Sequence, residues 1–452
     1  MKRFALVTVV LHLLLVACGP ARGPIRHVIL ISVDGLMPAA YLSPDEYGLK
    51  VPTLREMVAR GAYSPAAESV FPTLTYPAHT SVATGVRPAA HGIVSNYVWD
   101  PLDRLRGQWR WYAEDIRVPT LWNAARERGL RTALVYWPVT VGAQATAIVP
   151  EYWRTADGSA EDQKLLRALA TPGLLDEVHR RFPDLYEHLL PPRVADVSLT
   201  HVAVHLVETL RPHLLMLHIF DVDHYQHNDG PLAGRGLEAI ENADRQIARV
   251  IEAARNAGIW QHTALVVVSD HGFAAHTQRV RPGIPLAERG LITLDERGRV
   301  ADWRAWLLAS TGMGMIYVRD ENDEAAKQAV TEIYGALAAR PASGIGRIFT
   351  REEIIAYGGD PQAFLAIEPA DGFGFSSGYT GEYSSPATGL GLHGLAPDRP
   401  EMQASLLVYG PPIGAARLEG ARLIDVAPTI AGWLGLRMDH AEGRALAIPP
   451  AR

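Results

Sequence analysis

Three apolar runs that each end in an acidic residue constrain this chain more than anything else in it. Residues 27–33 (HVILISV) lead into Asp34-Gly35, residues 214–222 lead into Asp223 with Asp221 just before it, and residues 263–269 lead into Asp270-His271-Gly272. Apolar runs of this length read as strands buried on both faces. Between them lie segments with helical periodicity, at 51–61, 118–129, 194–210 and 236–258. The last of these carries Ala239, Ile240, Ala243, Ile247 and Val250 on one side. The alternation predicts an α/β fold, a mostly parallel sheet flanked by helices. The carboxyl ends of such strands are where open α/β sheets place their sites. One Asp there is an ordinary turn residue. Several at one edge repel each other unless a cation holds them.

The stretch ESVFPTLTYPAHTSVATGVRPAAHGIVSN, from Glu68 to Asn96, carries a second signal. Pro72 and Pro77 are expected to keep a regular helix from running through Thr75 and Tyr76, with a helix beginning near Thr80 and closing at Gly85. A hydroxyl just ahead of a helix start lies beside unpaired N–H groups, which favour a phosphoryl group. The alternative is an ordinary hydroxyl-rich turn. Asp223 and His227 are spaced so that one helical turn brings a carboxylate and an imidazole together. The alternative there is a polar turn after a strand. His393 sits in the glycine-rich run Gly389-Leu390-Gly391-Leu392-His393-Gly394, ahead of a strand at 404–409.

The chain has 452 residues, a formal net charge of −6, and 48% hydrophobic against 20% charged residues. That composition supports a large core and carries no basic signature of nucleic-acid binding. Lys2 and Arg3 precede an apolar run of signal-peptide length that ends Leu15-Val16-Ala17-Cys18. It resembles a bacterial lipobox. The resemblance implies a signal peptide at 1–17, a lipid-modified Cys18, a tether at 18–26, and a periplasm-facing anchor in the cell envelope, with the outer membrane favoured by Gly19. The alternative is a plain secretory signal. Cys18 is the single cysteine, so the chain cannot form an internal disulfide.

Taken together, VDG at 33–35, PTLTYPAHTSVATG with PAAHGIVSN, DxxxH with NDGP, SDHG at 269–272, and GLHG with GPP resemble the alkaline phosphatase superfamily, in its nucleotide pyrophosphatase/phosphodiesterase branch. The resemblance runs from about 27 to 436, with a cap insertion within 274–389, whose first part, 274–312, reads as loop-rich, and a tail at 437–452. It implies two zinc ions per chain. Asp34, Thr75, Asp270 and His271 would surround one ion, and Asp223, His227 and His393 the other. Thr75 would be the nucleophile that forms a phosphothreonine, and Asn96 would hold a phosphoryl oxygen. His79 and His91 would take supporting roles.

The implied activity is metal-dependent hydrolysis of phosphodiesters or nucleotide pyrophosphates. A phosphomonoesterase of the same superfamily and a transferase acting on glycan or lipid are the alternatives; a noncatalytic binding module has no use for a hydroxyl among so many hard ligands. Ala78 stands where the family has Asn, and Leu74 where it often has Lys. No Lys-x-Arg segment is present to hold a dianion, which favours diesters, although Arg110 or Arg154 folding over the site would oppose that. Tyr136 and Trp137 are expected to form an apolar wall for an ester substituent.

Overall fold

The computed structural model describes residues 25–105, 108–154, 160–187, 189 and 195–451. The leader, Cys18 and most of the tether lie outside the described residues. Eight strands form the central sheet: β1 (His27–Val33), β2 (Ala62–Ala67), β3 (Thr132–Val135), β4 (Ala147–Val149), β5 (Leu214–Ile219), β6 (Thr263–Val268), β7 (Ala404–Tyr409) and β8 (Ala416–Arg417). Their order is β8-β2-β7-β6-β1-β5-β3-β4. Every pairing is parallel except those of β7, which runs against both β2 and β6.

Alternate residues of β1 feed two separate cores. Ile29, Ile31 and Val33 pack with Leu215, Leu217 and Val267 under the helices Pro52–Arg60, Asp196–Thr209 and Arg235–Asn256. Val28 and Leu30 pack with Met216, Val266 and Val268 under Thr75–Thr84, Leu121–Glu127 and Val426–Leu434. Truncating a residue such as Ile31 or Leu30 to Ala is expected to cost about 2–5 kcal/mol, since both are fully buried.

Two local expectations are corrected. The strand foreseen to Val222 stops at Ile219, and a helix runs Asp221–Asp229. The cause is a reciprocal cap. The Asp221 carboxylate accepts from Ala195 N (2.9 Å) and Asp196 N (3.2 Å), while Asp196 Oδ1 accepts from Phe220 N (2.8 Å) and Asp221 N (3.1 Å). Each acid satisfies the other helix's open N–H groups. Burial pushes Asp196 up to about 6, and burial with the Asp196 charge pushes Asp221 up to about 9.

The second correction concerns 274–312, expected to be loop-rich. It contains the strands Ala274–Val280, Ile292–Leu294, Val300–Trp303 and Ala305–Ala309. The first of these (AAHTQRV) is polar, with only His276 and Val280 buried, so no apolar alternation announces it. Backbone pairing with Gly372–Phe375 and Ser384–Pro386 holds it.

Within 274–389 lies a four-stranded antiparallel sheet in the order 305–309, 314–318, 365–369, 345–350. It has its own hydrophobic cluster, including Ile316, Val330, Tyr334, Phe349 and Ile367, with Phe71 inserted from the main body. The C-terminal segment packs back onto the main body. Leu446 N donates to Thr429 Oγ1 (2.8 Å), and Gly414 N donates to Pro449 O (2.8 Å).

Candidate active site

The carboxyl edge of the sheet gathers six side chains into two clusters. Asp34 follows β1, and Asp270-His271 follows β6, its parallel neighbour. Within this first cluster one donor atom from each of Asp34, Asp270 and His271 lies within 4.8 Å of the others. Gly35 makes the turn possible: its φ is +66°, and a Cβ there would meet the Phe273 ring at 2.5 Å. Its N–H donates to Asp270 Oδ1 (3.1 Å), as does His271 N (3.0 Å), which leaves Asp270 Oδ2 facing the cluster.

The second cluster is Asp223, His227 and His393, again with donor atoms within 4.8 Å. Asp223 and His227 are one turn apart on the Asp221–Asp229 helix, with Oδ1 and Nε2 separated by 3.4 Å. His393 reaches them from the glycine-rich loop, 3.7 Å from Asp223 Oδ1. The His271 and His393 rings stack at 3.6 Å between centroids and join the clusters.

The donor set fits divalent cations on three counts. Buried Asp34 Oδ1, Asp223 Oδ1, Asp270 Oδ2 and His271 Nε2 have no hydrogen-bond partner, although His271 Nε2 and Asp270 Oδ2 are only 3.0 Å apart. Each imidazole has its Nδ1 against a backbone carbonyl: His227 to Gly391 O (3.1 Å), His271 to Gly272 O (3.1 Å), His393 to Thr73 O (3.0 Å). That fixes the tautomer and turns the Nε2 lone pair inward. Burial, together with the Asp270 and Asp223 charges, holds Asp34 well above the usual carboxylate range, a repulsion that a cation relieves. Oxygen and nitrogen donors without thiolate suit hydrolytic zinc.

Thr75 opens the Thr75–Thr84 helix, so the helix starts earlier than the prolines implied. Pro77 occupies the third helical position, where an absent N–H leaves no intrahelical bond unmade. His79 Nδ1 contacts Thr75 O at 2.8 Å and lies 3.7 Å from Asp270 Oδ2, which ties the threonine to the first cluster. Asn96 Oδ1 accepts from Tyr76 N (2.9 Å), so the Asn96 amide donor faces away from that bond. Thr73 is engaged elsewhere: its hydroxyl donates to Leu395 O (2.9 Å) and accepts from Gly394 N (3.0 Å). His91 is a buried partner of Ser81 Oγ (2.9 Å).

The apolar wall is not where the sequence placed it. Tyr136 and Trp137 are fully buried in the core and present no surface. Beside Tyr76 the structure instead sets Trp109 (5.2 Å between centroids), Trp111 (6.0 Å) and, behind them, Trp153 at 4.5 Å from Trp111. Tyr97, next to Asn96, packs on Trp109 at 5.2 Å. These residues lie in irregular segments, where periodicity gives no cue. Their density of Trp and Tyr was the available signal. Arg110 donates its Nε–H to Tyr97 O (3.2 Å), and Arg154 is exposed. Two further residues escaped notice, His218 inside β5 and Glu151 after β4. Both are buried behind Asp34.

Fold and site together define an α/β protein with two adjacent clusters of hard donors, each able to hold a metal ion, at the carboxyl edge of a mostly parallel sheet. The family model for type I phosphodiesterase / nucleotide pyrophosphatase matches residues 28–358, and the chain belongs to that family. Ectonucleotide pyrophosphatase/phosphodiesterase family member 1 of Homo sapiens is 23% identical over 249 residues, which are 54% of this chain and 23% of that protein. Venom phosphodiesterase 2 of Crotalus adamanteus is 24% identical over 254 residues, 54% of this chain and 26% of that protein. The match thus spans about a quarter of the length of these relatives. Among solved structures, an inactive murine ectonucleotide pyrophosphatase/phosphodiesterase 5 in complex with AMP superposes with a TM-score of 0.63 at 19% identity, covering 91% of this chain and 96% of that one.

Proposed function

We propose that the protein hydrolyses phosphodiester or nucleotide pyrophosphate bonds through a phosphothreonine on Thr75. The observation that carries this reading is the juxtaposition of the Thr75 helix start with the two clusters of unpartnered buried donors. Asp34, Asp270 and His271, with Thr75, hold one zinc ion, and Asp223, His227 and His393 hold the other. The ions supply Lewis acidity that lowers the nucleophile's pKa and offsets leaving-group charge.

The chain's own residues do the rest. The helix start sets Thr75 beside the first cluster, through the His79 contact to its carbonyl. Thr75 Oγ1 bonds to phosphorus as the ester or anhydride oxygen leaves, and water later cleaves the phosphothreonine, restoring the hydroxyl and releasing the phosphoryl product. The Asn96 amide, fixed by Tyr76 N, donates to a non-bridging oxygen. Trp109 and Trp153, both partly buried and backed by buried Trp111, give an ester substituent an aromatic face to lie on. That face, and the engagement of Arg110 with Tyr97 O, support a diester preference over a dianionic monoester.

The test is kcat/KM for a bis-aryl or nucleotide-aryl diester against the matching aryl monoester, on zinc-loaded protein. A diester preference is expected; a monoester preference assigns the protein to the phosphomonoesterases while leaving its centres in place. A lipid on Cys18 is the reading that the leader supports, and intact mass of the mature N-terminus decides it: an unmodified terminus elsewhere ends it.

A further inference from the structure

A row of buried side chains lies behind the first cluster, one strand step after another across the carboxyl edge. Asp34 follows β1, His218 sits in β5, Tyr136 follows β3 and Glu151 follows β4. The sheet order β1-β5-β3-β4 sets them side by side. His218 Nε2 is 3.1 Å from Asp34 Oδ2, and its Nδ1 is 3.2 Å from Tyr136 O and 3.7 Å from Glu151 Oε2. Asp34, Glu151 and His218 are 3%, 4% and 1% exposed.

Two features set this row apart from ordinary core polarity. First, both ring nitrogens of His218 face oxygens: Nε2 meets Asp34 Oδ2, and Nδ1 meets the Tyr136 carbonyl. Glu151 Oε2, which has no hydrogen bond of its own, stands beside Nδ1, so the ring is held from both sides. Second, the division of labour at Asp34 is complete. Oδ2 is taken by His218, while Oδ1 is buried, without a hydrogen bond, and aimed into the cluster. His79 packs edge-on against His218 at 4.4 Å between centroids and closes the space around the ring.

We infer that His218, backed by Glu151, is a positioning residue for the first metal centre: it pins Asp34 by one carboxylate oxygen so that the other is presented to the ion in a fixed direction. The inference rests on the proposed role of Asp34 as a ligand. An oriented carboxylate ligand loses less freedom on binding, and removing such an outer partner commonly weakens metal affinity 10–100-fold. At the second centre the ion-pair contacts of Asp223 are to its fellow candidate ligands, His227 (3.4 Å) and His393 (3.7 Å).

The experiment is zinc affinity of the full chain, measured by competition with a chromophoric chelator, together with the d–d spectrum of the cobalt-loaded protein. His218→Phe keeps a ring but no donor. It is expected to weaken one of the two ions 10–100-fold, leave the other unchanged and shift one of the two cobalt signatures. His218→Gln restores a donor toward Asp34 and is expected to recover most of the affinity. Glu151→Gln is expected to weaken the same ion, by less than tenfold. His218→Phe with both affinities and both spectra of wild type overturns the inference, as does an equal loss in the Phe and Gln variants, which marks a packing role. If His218→Phe does not fold, Glu151→Gln decides: an unaltered first ion overturns the inference. Wild-type protein that binds fewer than two ions overturns the metal-centre reading itself, a result separate from any variant.

Discussion

The two clusters have the same chemistry and opposite settings. Asp34, Asp270 and His271 have side chains 4%, 1% and 0% exposed, and they stand on the ends of adjacent parallel strands in the middle of the sheet. Asp223 and His227 are 19% and 35% exposed, on a short helix, and His393 comes from a loop. The first cluster is therefore placed by the fold's most constrained backbone and by carboxylates that cannot relax. The second is placed by elements that solvent reaches. This division suits a mechanism in which the nucleophile must be held in one position while leaving groups and water come and go. Both clusters rely on backbone carbonyls to orient their imidazoles, so the difference lies in burial and anchoring rather than in ligand type.

The largest effect should come from the residue that joins the two. Thr75→Ala is expected to lose turnover by a factor on the order of 10⁴–10⁶, the scale on which removal of a nucleophile is felt, while both metals and the fold remain. Thr73→Ala is the control. It removes the bonds to Leu395 O and Gly394 N, costs roughly 1–3 kcal/mol of stability, and should leave turnover within about tenfold by the same yardstick. Single-turnover trapping and peptide mapping locate the phosphoryl group. A label on Thr73 or elsewhere ends the assignment.

Next in size is the asymmetry of the centres. Chelator titration should strip the ions in two steps, the exposed second centre first. Complete removal should lower stability by about 4 kcal/mol per ion relative to protein held at ~1,000 times Kd in zinc, because the crowded carboxylates lose their counter-charge. His227→Asn should be rescued by added zinc; Asp270→Ala should not, since it also removes the acceptor of Gly35 N and His271 N. A single-step titration with equal rescue of both variants breaks the contrast.

A smaller effect is expected at the aromatic face. Trp153→Ala and Trp109→Ala should each reduce kcat/KM for an aryl or nucleotide diester by about tenfold, corresponding to the ~1–3 kcal/mol of one stacking contact, with metal content intact. Methyl-substituted diesters, which cannot stack, should respond less. Equal loss on both substrates means that the tryptophans only shape the loop.

How far the sequence led can be read from particular residues. Asp34 and Asp270 were legible at strand ends because apolar runs and the change to Asp are local signals, whereas Asp223 sits on a helix. His227 was signalled as a candidate by its four-residue spacing from Asp223, and His393 only through the resemblance, since nothing local brings residue 393 to residue 223. Tyr136 and Trp137 misled because an aromatic pair after a strand reads the same whether it points to solvent or inward. His218 was hidden by its neighbours: a polar residue within an apolar strand carries no sign of what faces it across the sheet. The Thr75 helix start was misjudged because proline is disfavoured inside a helix and tolerated in its first turn.

The smallest expected effect tests how the exposed centre is fastened. The Asp221–Asp229 helix ends at Asp229, whose carboxylate takes Arg235 Nε (2.9 Å), an Arg235 terminal N–H (2.7 Å) and Arg235 N (2.8 Å). The clamp closes the turn between this helix and Arg235–Asn256. The Arg235 side-chain bonds and the Arg235 backbone N–H hold Asp229 down at about 2, below the ~3.9 of an unstructured Asp. A depressed carboxyl contributes stability that is full above its unfolded pKa and is lost as pH falls toward the folded one. The window is therefore from about pH 4 down to about pH 2. Because the pair is largely solvated, its worth is small. Arg235→Met should lower stability slightly at neutral pH and by progressively less as acid closes the window, as read by denaturant unfolding of the metal-free protein at a series of pH values. In the same variant, zinc should loosen at the second centre and not at the first. A loss that grows as the pH falls assigns the clamp a different origin, and equal loosening of both ions removes the distinction between a centre held by the sheet and a centre held from the surface.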